Sequence, residues 1–305
     1  MTRYLARRLA FALPALWLIL SMVFLLSHIV PGDPVQQMLG EGARGEDLGQ
    51  LRHSLGLDLP LPAQYARYFF GVLRGDLGES FRFQQPVARV VLSRYPATLE
   101  LSIVALLVCA AIGIPAGVLA AHRRGTATDH AVGAFTLLGL SVPNFALGPV
   151  LILVFSVTLQ WLPAIGNGSW RQLVLPVVCL GLITSGRLMR MVRSGVLDVL
   201  EEPFVMTLRG KGLRERQVLF THVLRNALIP VVTVLGVLVG ELLSGTVVVE
   251  TLFARQGIGR MLVDALNVKD IPVVQGAVLL ASIFFVLINM MVDLSYGWID
   301  RRVRS

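Results

Sequence analysis

Read for hydrophobicity alone, the chain falls into six long apolar stretches separated by polar ones. Leu9 to Val30 runs 22 residues without Lys, Arg, Asp or Glu, and Leu101 to Ala121 runs 21. A helix of either length crosses a hydrocarbon layer about 30 Å thick. Ala131 to Leu159 is uncharged for 29 residues, longer than one straight crossing needs. Prolines in Ser141-Val142-Pro143-Asn144 and Gly148-Pro149 remove backbone donors there, so a kinked or broken helix is predicted. Leu173 opens a fourth span whose far end carries Arg187, Arg190 and Arg193 at helical spacing, as if snorkelling to the cytoplasmic interface. Ala227 to Val249 is the fifth and contains Glu241; Ile271 to Val292 is the sixth, followed by Asp293 and the basic tail Arg301, Arg302, Arg304. A cleaved signal peptide would have a shorter apolar region, and no small-residue cleavage site precedes Pro31-Gly32-Asp33-Pro34, so the first stretch reads as an uncleaved span. The pattern predicts an all-α integral membrane protein with six transmembrane helices.

Composition agrees: 55% of the 305 residues are hydrophobic and 15% charged, too few charges to cover a soluble globule. Of the 27 Lys and Arg, 16 fall on the side of the termini and of the 187–225 stretch, against six acids there. That side is therefore assigned to the cytoplasm, N- and C-termini included. The formal charge of +8 belongs to this topology rather than to nucleic acid, since the basic residues sit beside apolar spans. The chain divides into residues 1–30, a basic segment with the first span; 31–98, an extracytoplasmic segment; and 99–305, a core of five spans with a cytoplasmic loop at 193–226. The aromatic group Tyr65, Tyr68, Phe69, Phe70 in the outer segment reads as packing. Cys109 and Cys179 lie inside apolar runs and read as small buried hydrophobes, not as a disulfide or metal site. His28, near the outer end of the first span, reads as satisfied or interfacial, and the five histidines are scattered, so no metal or catalytic cluster is predicted.

The cytoplasmic loop is the largest polar interruption. Glu201-Glu202-Pro203 has the makings of a helix start, and Gly212 of a stop. The short helix between them would lie along the membrane surface with Phe204 and Leu208 exposed, ringed by Arg209, Lys211 and Arg214. Such a knob suits another protein's groove, and its basic rim suits anionic lipid headgroups at about 1 kcal/mol each. From the residues alone the two readings stand level. No G-x-x-x-x-G-K-[ST] phosphate-binding stretch occurs, so the chain is not expected to supply energy from ATP itself. Within the bilayer, Glu241 lies among Gly236, Gly240, Ser244 and Gly245, where a pathway-facing role and a hydrogen-bonded structural one are equally supported. Ser141 and Asn144 at the predicted break, with Glu241 and Ser244, are the candidate pathway residues. Asn289 and Asp293, four apart, share a face of the sixth span and read as polar packing. An ion-coupled carrier would show a second copy of the broken helix; none occurs.

Arg190 to Pro230, RMVRSGVLDVLEEPFVMTLRGKGLRERQVLFTHVLRNALIP, resembles the cytoplasmic EAA-type loop of ABC importer permeases of the dipeptide, oligopeptide and nickel family. Pro31-Gly32-Asp33-Pro34, Leu55-Gly56-Leu57-Asp58, Arg74-Gly75-Asp76-Leu77-Gly78-Glu79-Ser80, Pro96-Ala97-Thr98-Leu99-Glu100-Leu101, Ser141-Val142-Pro143-Asn144-Phe145, Val249-Glu250-Thr251-Leu252-Phe253, Gly257-Ile258-Gly259 and Pro272-Val273-Val274-Gln275-Gly276 extend the resemblance along nearly the whole chain, in order. The resemblance implies the type I importer permease fold and a multi-pass place in a bacterial or archaeal cytoplasmic membrane. It implies a second, homologous permease, two ATP-binding cassette subunits carrying ATP and Mg, an extracytoplasmic substrate-binding protein and surrounding lipid, with no cofactor bound by this chain and no enzyme activity of its own. Glu201, Phe204, Thr207, Leu208, Arg209, Lys211, Gly212, Leu213 and Arg214 would then form or flank the ATPase-coupling contact, and Glu250 would anchor the loop after the fifth span. Peptides, nickel and glutathione are all substrates that the resemblance allows. Leu208 stands where the family has Ala, Pro203 where it has an acid and Arg301 where it has Pro; at Leu208 the larger side chain must be accommodated or turned outward.

Overall fold

The computed structural model describes residues 2–29, 35 and 45–299. Pro31-Gly32-Asp33-Pro34, Arg301 and the side chain of Asp293 lie outside the described residues. The described chain is helical, with one isolated β-bridge between Glu79 and Pro86. Among the described residues five helices are long and apolar enough to cross a membrane, and a bent pair makes six if the two halves form one span. Two compact units are formed, Met1–Pro96 with Gln256–Leu287, and Ala97–Arg255 with Ile288–Ser305.

The first unit contains α1 (Thr2–Ile29), α2 (Gly45–Leu55) and α3 (Leu61–Leu73), the start of α4 (Val87–His122), α10 (Ile258–Asn267) and most of α11 (Ile271–Ile299). Helix α3 rests on α1 through its aromatics: the Phe24 ring lies 5.3 Å from Tyr65 and 5.7 Å from Tyr68, and the hydroxyls of Ser21 and Tyr65 are 2.6 Å apart. The predicted packing role holds for these rings, whereas Phe70 stays exposed. His28 is satisfied by the Phe24 carbonyl and by Gln64. Before α11, the buried Asp270 carboxylate accepts from the Ser80 hydroxyl at 2.5 Å and from the backbone N–H groups of Phe81 and Arg82. Those three donors meet the requirement that a buried charge be hydrogen-bonded.

The second unit holds the rest of α4, α5 (Ala127–Ser141), α6 (Asn144–Leu151), α7 (Trp170–Leu200), α8 (Pro203–Gly210) and α9 (Leu224–Leu252). The predicted break falls where expected: α5 and the α6 segment meet at 103°, with Pro143 in extended conformation before α6. Beyond Pro149 the backbone bonds in π-type register from Ile152 to Thr158. Helix α7 begins at a capping box in which Ser169 and Gln172 satisfy each other's backbone N–H groups. It is the central helix, packed against α5, α6 and α9. Glycines permit this closeness: a Cβ on Gly186 would lie 3.2 Å from the Thr136 carbonyl oxygen and 3.6 Å from the Gly139 Cα. Two apolar clusters result, one around Leu101, Leu180, Leu242 and Phe253, the other around Cys109, Leu188, Val192 and Val223. Cys109 and Cys179 are fully buried, as predicted.

Candidate functional site

The loop between α7 and α9 folds back on the second apolar cluster. Pro203 occupies the first turn of α8, where its missing N–H costs nothing, with Glu202 in extended conformation before it. The helix ends at Gly212, whose φ of +80° is open to glycine. Gly212 N–H donates to the Arg209 carbonyl at 2.9 Å and Leu213 N–H to the Leu208 carbonyl at 3.3 Å, the paired bonds of a Schellman ending. Such an ending brings Leu208 and Leu213 together, and both pack on the apolar cluster with Phe204, around the fully buried Val205.

This corrects the expected orientation. Phe204 and Leu208 point inward, and the outer face of α8 is Pro203, Met206, Thr207 and Gly210. Met206 is 79% exposed, and nothing lies within 4 Å of a Cβ built on Gly210. Leu208 is therefore accommodated by burial, closing the helix rather than projecting from it. Arg209 forks onto Glu215 through two bonds of 2.7 and 3.1 Å, which hold the Glu215 carboxyl below the usual carboxylate range. Glu201 pairs with Arg124, while Lys211 and Arg214 are exposed beside the same face.

A second ion pair joins α7, which leads into the loop, to α5. Arg193 donates from Nε and a terminal nitrogen to both oxygens of Asp129, at 2.6 and 2.8 Å, and the Gly125 N–H donates to the same carboxylate. The Asp129 side chain is 9% exposed. Replacing Asp129 with Asn should lower the thermal midpoint of the purified chain more than replacing Arg124 with Gln, whose pair with Glu201 is exposed at both ends. Equal losses would show that the fork fixes nothing.

Within the spans, Arg187 of α7 forms an ion pair with Glu241 of α9. Arg187, read from the sequence as pointing toward an interface, has as its partner the acid of the next long span. Glu241 shares an exposed face of α9 with Ser244. Asn144, at the start of α6, brings its amide nitrogen within 3.2 Å of a Cβ built on Gly245, and its buried side-chain oxygen has no hydrogen-bond partner. Ser141 is exposed at the break. Of the four candidate pathway residues, Asn144 thus meets α9 at Gly245, Glu241 and Ser244 lie on one face of α9, and Ser141 ends α5 at the break.

At the far end of α9, Glu250 is fully buried and accepts from the Thr98 hydroxyl at 2.6 Å. Next to it Arg255, 3% exposed, bonds to the Ala97 carbonyl and to Glu100. Glu250 thus ties the end of α9 to α4, and Arg255 and Thr98 are members of this knot that sequence reasoning missed. A lone Arg three residues past an apolar helix was the available signal. Asn289 is half-buried on α11.

The chain belongs to the binding-protein-dependent transport system inner membrane components: residues 113–305 match that family and residues 1–102 match its N-terminal family. It is a multi-pass permease component of a binding-protein-dependent ABC transport system. Among curated relatives, it is 40% identical to the di/tripeptide transport system permease protein DppB of Pseudomonas aeruginosa, covering 100% of this chain and 99% of that one. The dipeptide permease DppB of Escherichia coli K12 and the glutathione permease GsiC of Salmonella paratyphi A are each 40% identical with the same coverage. Two inward-facing structures of the methionine ABC transporter MetNI share the fold at TM-scores of 0.55 and 0.57 and 20% identity, covering 70% and 69% of this chain and 97% and 96% of theirs.

Proposed function

We propose that this chain is one of two permease subunits of an ATP-driven importer of di- or oligopeptides in a bacterial cytoplasmic membrane, forming half of the translocation pathway. The observation that carries this reading is the 40% identity, end to end, with dipeptide and di/tripeptide permeases. In this reading both termini are cytoplasmic, in keeping with the excess of basic residues on that side. A second homologous permease completes the pathway, a substrate-binding protein delivers solute from outside, and two ATPase subunits dock on the α8 loop. The chain itself binds no nucleotide and catalyses nothing; ATP and Mg belong to those partners. The coupling surface is the outer face of α8, where Thr207, Arg209, Lys211, Gly212 and Arg214 surround Met206, while Phe204, Leu208 and Leu213 hold the helix from beneath and Glu201 flanks it. Because α8 is fused to α7 and α9, displacement there moves two spans. Glutathione, itself a tripeptide, is a second reading, supported by the equal identity to a glutathione permease.

The test is reconstitution. The chain is expected to co-purify with a second permease and an ATPase, and the complex in proteoliposomes to take up dialanine only with ATP and the binding protein. A stable, active homomer would overturn the heteromeric reading, and uptake of glutathione with no uptake of dialanine would select the second substrate.

A further inference from the structure

Building on the peptide-import reading, we propose that Arg187 and Glu241 form a two-ended site for a zwitterionic solute, Arg187 taking its carboxylate and Glu241 its ammonium group. Charges inside apolar spans are costly unless paired or wetted. In the single chain each side chain is 44% exposed, so α7 and α9 alone do not enclose the pair. The neighbouring positions Leu188, Met189, Leu238 and Leu242 are buried, so the faces of α7 and α9 that carry the pair are the outward ones. Arg190 and Ser194 on α7 and Ser244 on α9 add polar groups to these faces, among the exposed apolar side chains Met191, Val237 and Val248.

The chemistry fits one class of ligand. A guanidinium fork matches a carboxylate in two parallel bonds and keeps its charge at every accessible pH. A carboxylate offers acceptors alone and suits an ammonium group, which offers donors alone. The pair is neutral, so a zwitterion exchanges one internal ion pair for two intermolecular ones and leaves no charge uncompensated. A solute with only an anionic or only a cationic end frees one partner of the pair and strands the other, a costly outcome in a low-dielectric span.

Binding of dialanine, its C-terminal amide and its N-acetyl form to the detergent-solubilised permease–ATPase complex, without the binding protein, tests this. The wild type should prefer dialanine to both blocked forms by about tenfold, the worth of one charge-assisted hydrogen bond. Arg187→Gln should abolish the preference over the amide, and Glu241→Gln the preference over the N-acetyl form. The double replacement should remain indiscriminate. If the pair is only a clasp, the double variant, which leaves no lone charge, will recover the stability lost by each single variant, and no variant will change the preference; that result, or a wild type without preference, overturns the site. ATP-driven uptake of dialanine by the wild-type complex is measured separately, so failure of the import reading is distinguishable from failure of the site.

Discussion

Gly117→Val is expected to prevent the chain from closing its core. Gly117 lies on α4 against α7, and a Cβ there would stand 2.7 Å from the Met189 carbonyl oxygen and 2.7 Å from the Val192 Cβ. Neither neighbour is a flexible side-chain end: one is helix backbone, the other a β-branched carbon anchored to the backbone and 1% exposed. The helices would have to separate, and between lipid-embedded helices close packing is itself the main attraction. Overpacking of a single methylene costs about 1–3 kcal/mol, so a valine at a backbone contact should reach or exceed the top of that range. Gly113, one turn earlier, is the milder comparison, because a Cβ there meets only the Leu188 side chain, at 2.9 to 3.0 Å. Gly133→Ala on α5 is the control, with nothing within 4 Å; it should be neutral or gain up to about 1 kcal/mol of helix propensity. Thermal unfolding of the detergent-solubilised chains, followed by size-exclusion fluorescence, reads the series. A Gly117→Val protein melting with the wild type would show that α4 and α7 do not meet there.

The spans were legible in the sequence because the apolar stretches are uncharged for the length a bilayer demands. The break near Pro143 followed from the missing donor, and the ends of α8 from Pro203 and Gly212, whose backbone preferences act locally. Orientation of α8 was not legible. In eight residues Phe204, Val205, Met206 and Leu208 place apolar groups on every side, so periodicity favours neither face. The ending decides it: the Schellman bonds pair Leu208 with Leu213, and that contact turns Phe204 and Val205 toward the core. Ion pairs were hidden for another reason. Arg187 and Glu241 are 54 residues apart, and Asp129 and Arg193 64 apart. Their meeting depends on how α5, α7 and α9 cross, which no local rule encodes. The local rule for a basic residue near a span end points to the interface, and it assigned Arg187 there. Gly117 looked like any membrane-helix glycine until the position of Met189 was known.

Met206→Glu is expected to stop ATP-driven uptake while leaving the permease folded. In the proposed reading Met206 is the centre of the ATPase contact: it is the one exposed large hydrophobic residue of α8, and its neighbours Thr207 and Gly210 keep the surface around it low. A flexible thioether between small residues suits insertion into a partner's apolar groove. Central anchors of this kind carry about 2 kcal/mol or more, and a carboxylate forced into a desolvated groove adds its own penalty, so uptake should fall by well over tenfold. Arg209, Arg214 and Lys211 rim the same surface. Their replacement should slow assembly and sharpen its salt dependence while affecting uptake less, as rim charges do. Val205→Asp gives the complementary result. Val205 is fully buried under the helix, so a charge there should detach α8 from the core and lower the thermal midpoint together with uptake. Measuring uptake, ATPase recovery and thermal midpoint for both variants separates docking from folding. If Met206→Glu transports as the wild type does, the ATPase docks elsewhere; if it loses the fold along with the uptake, the outer face of α8 is structural after all.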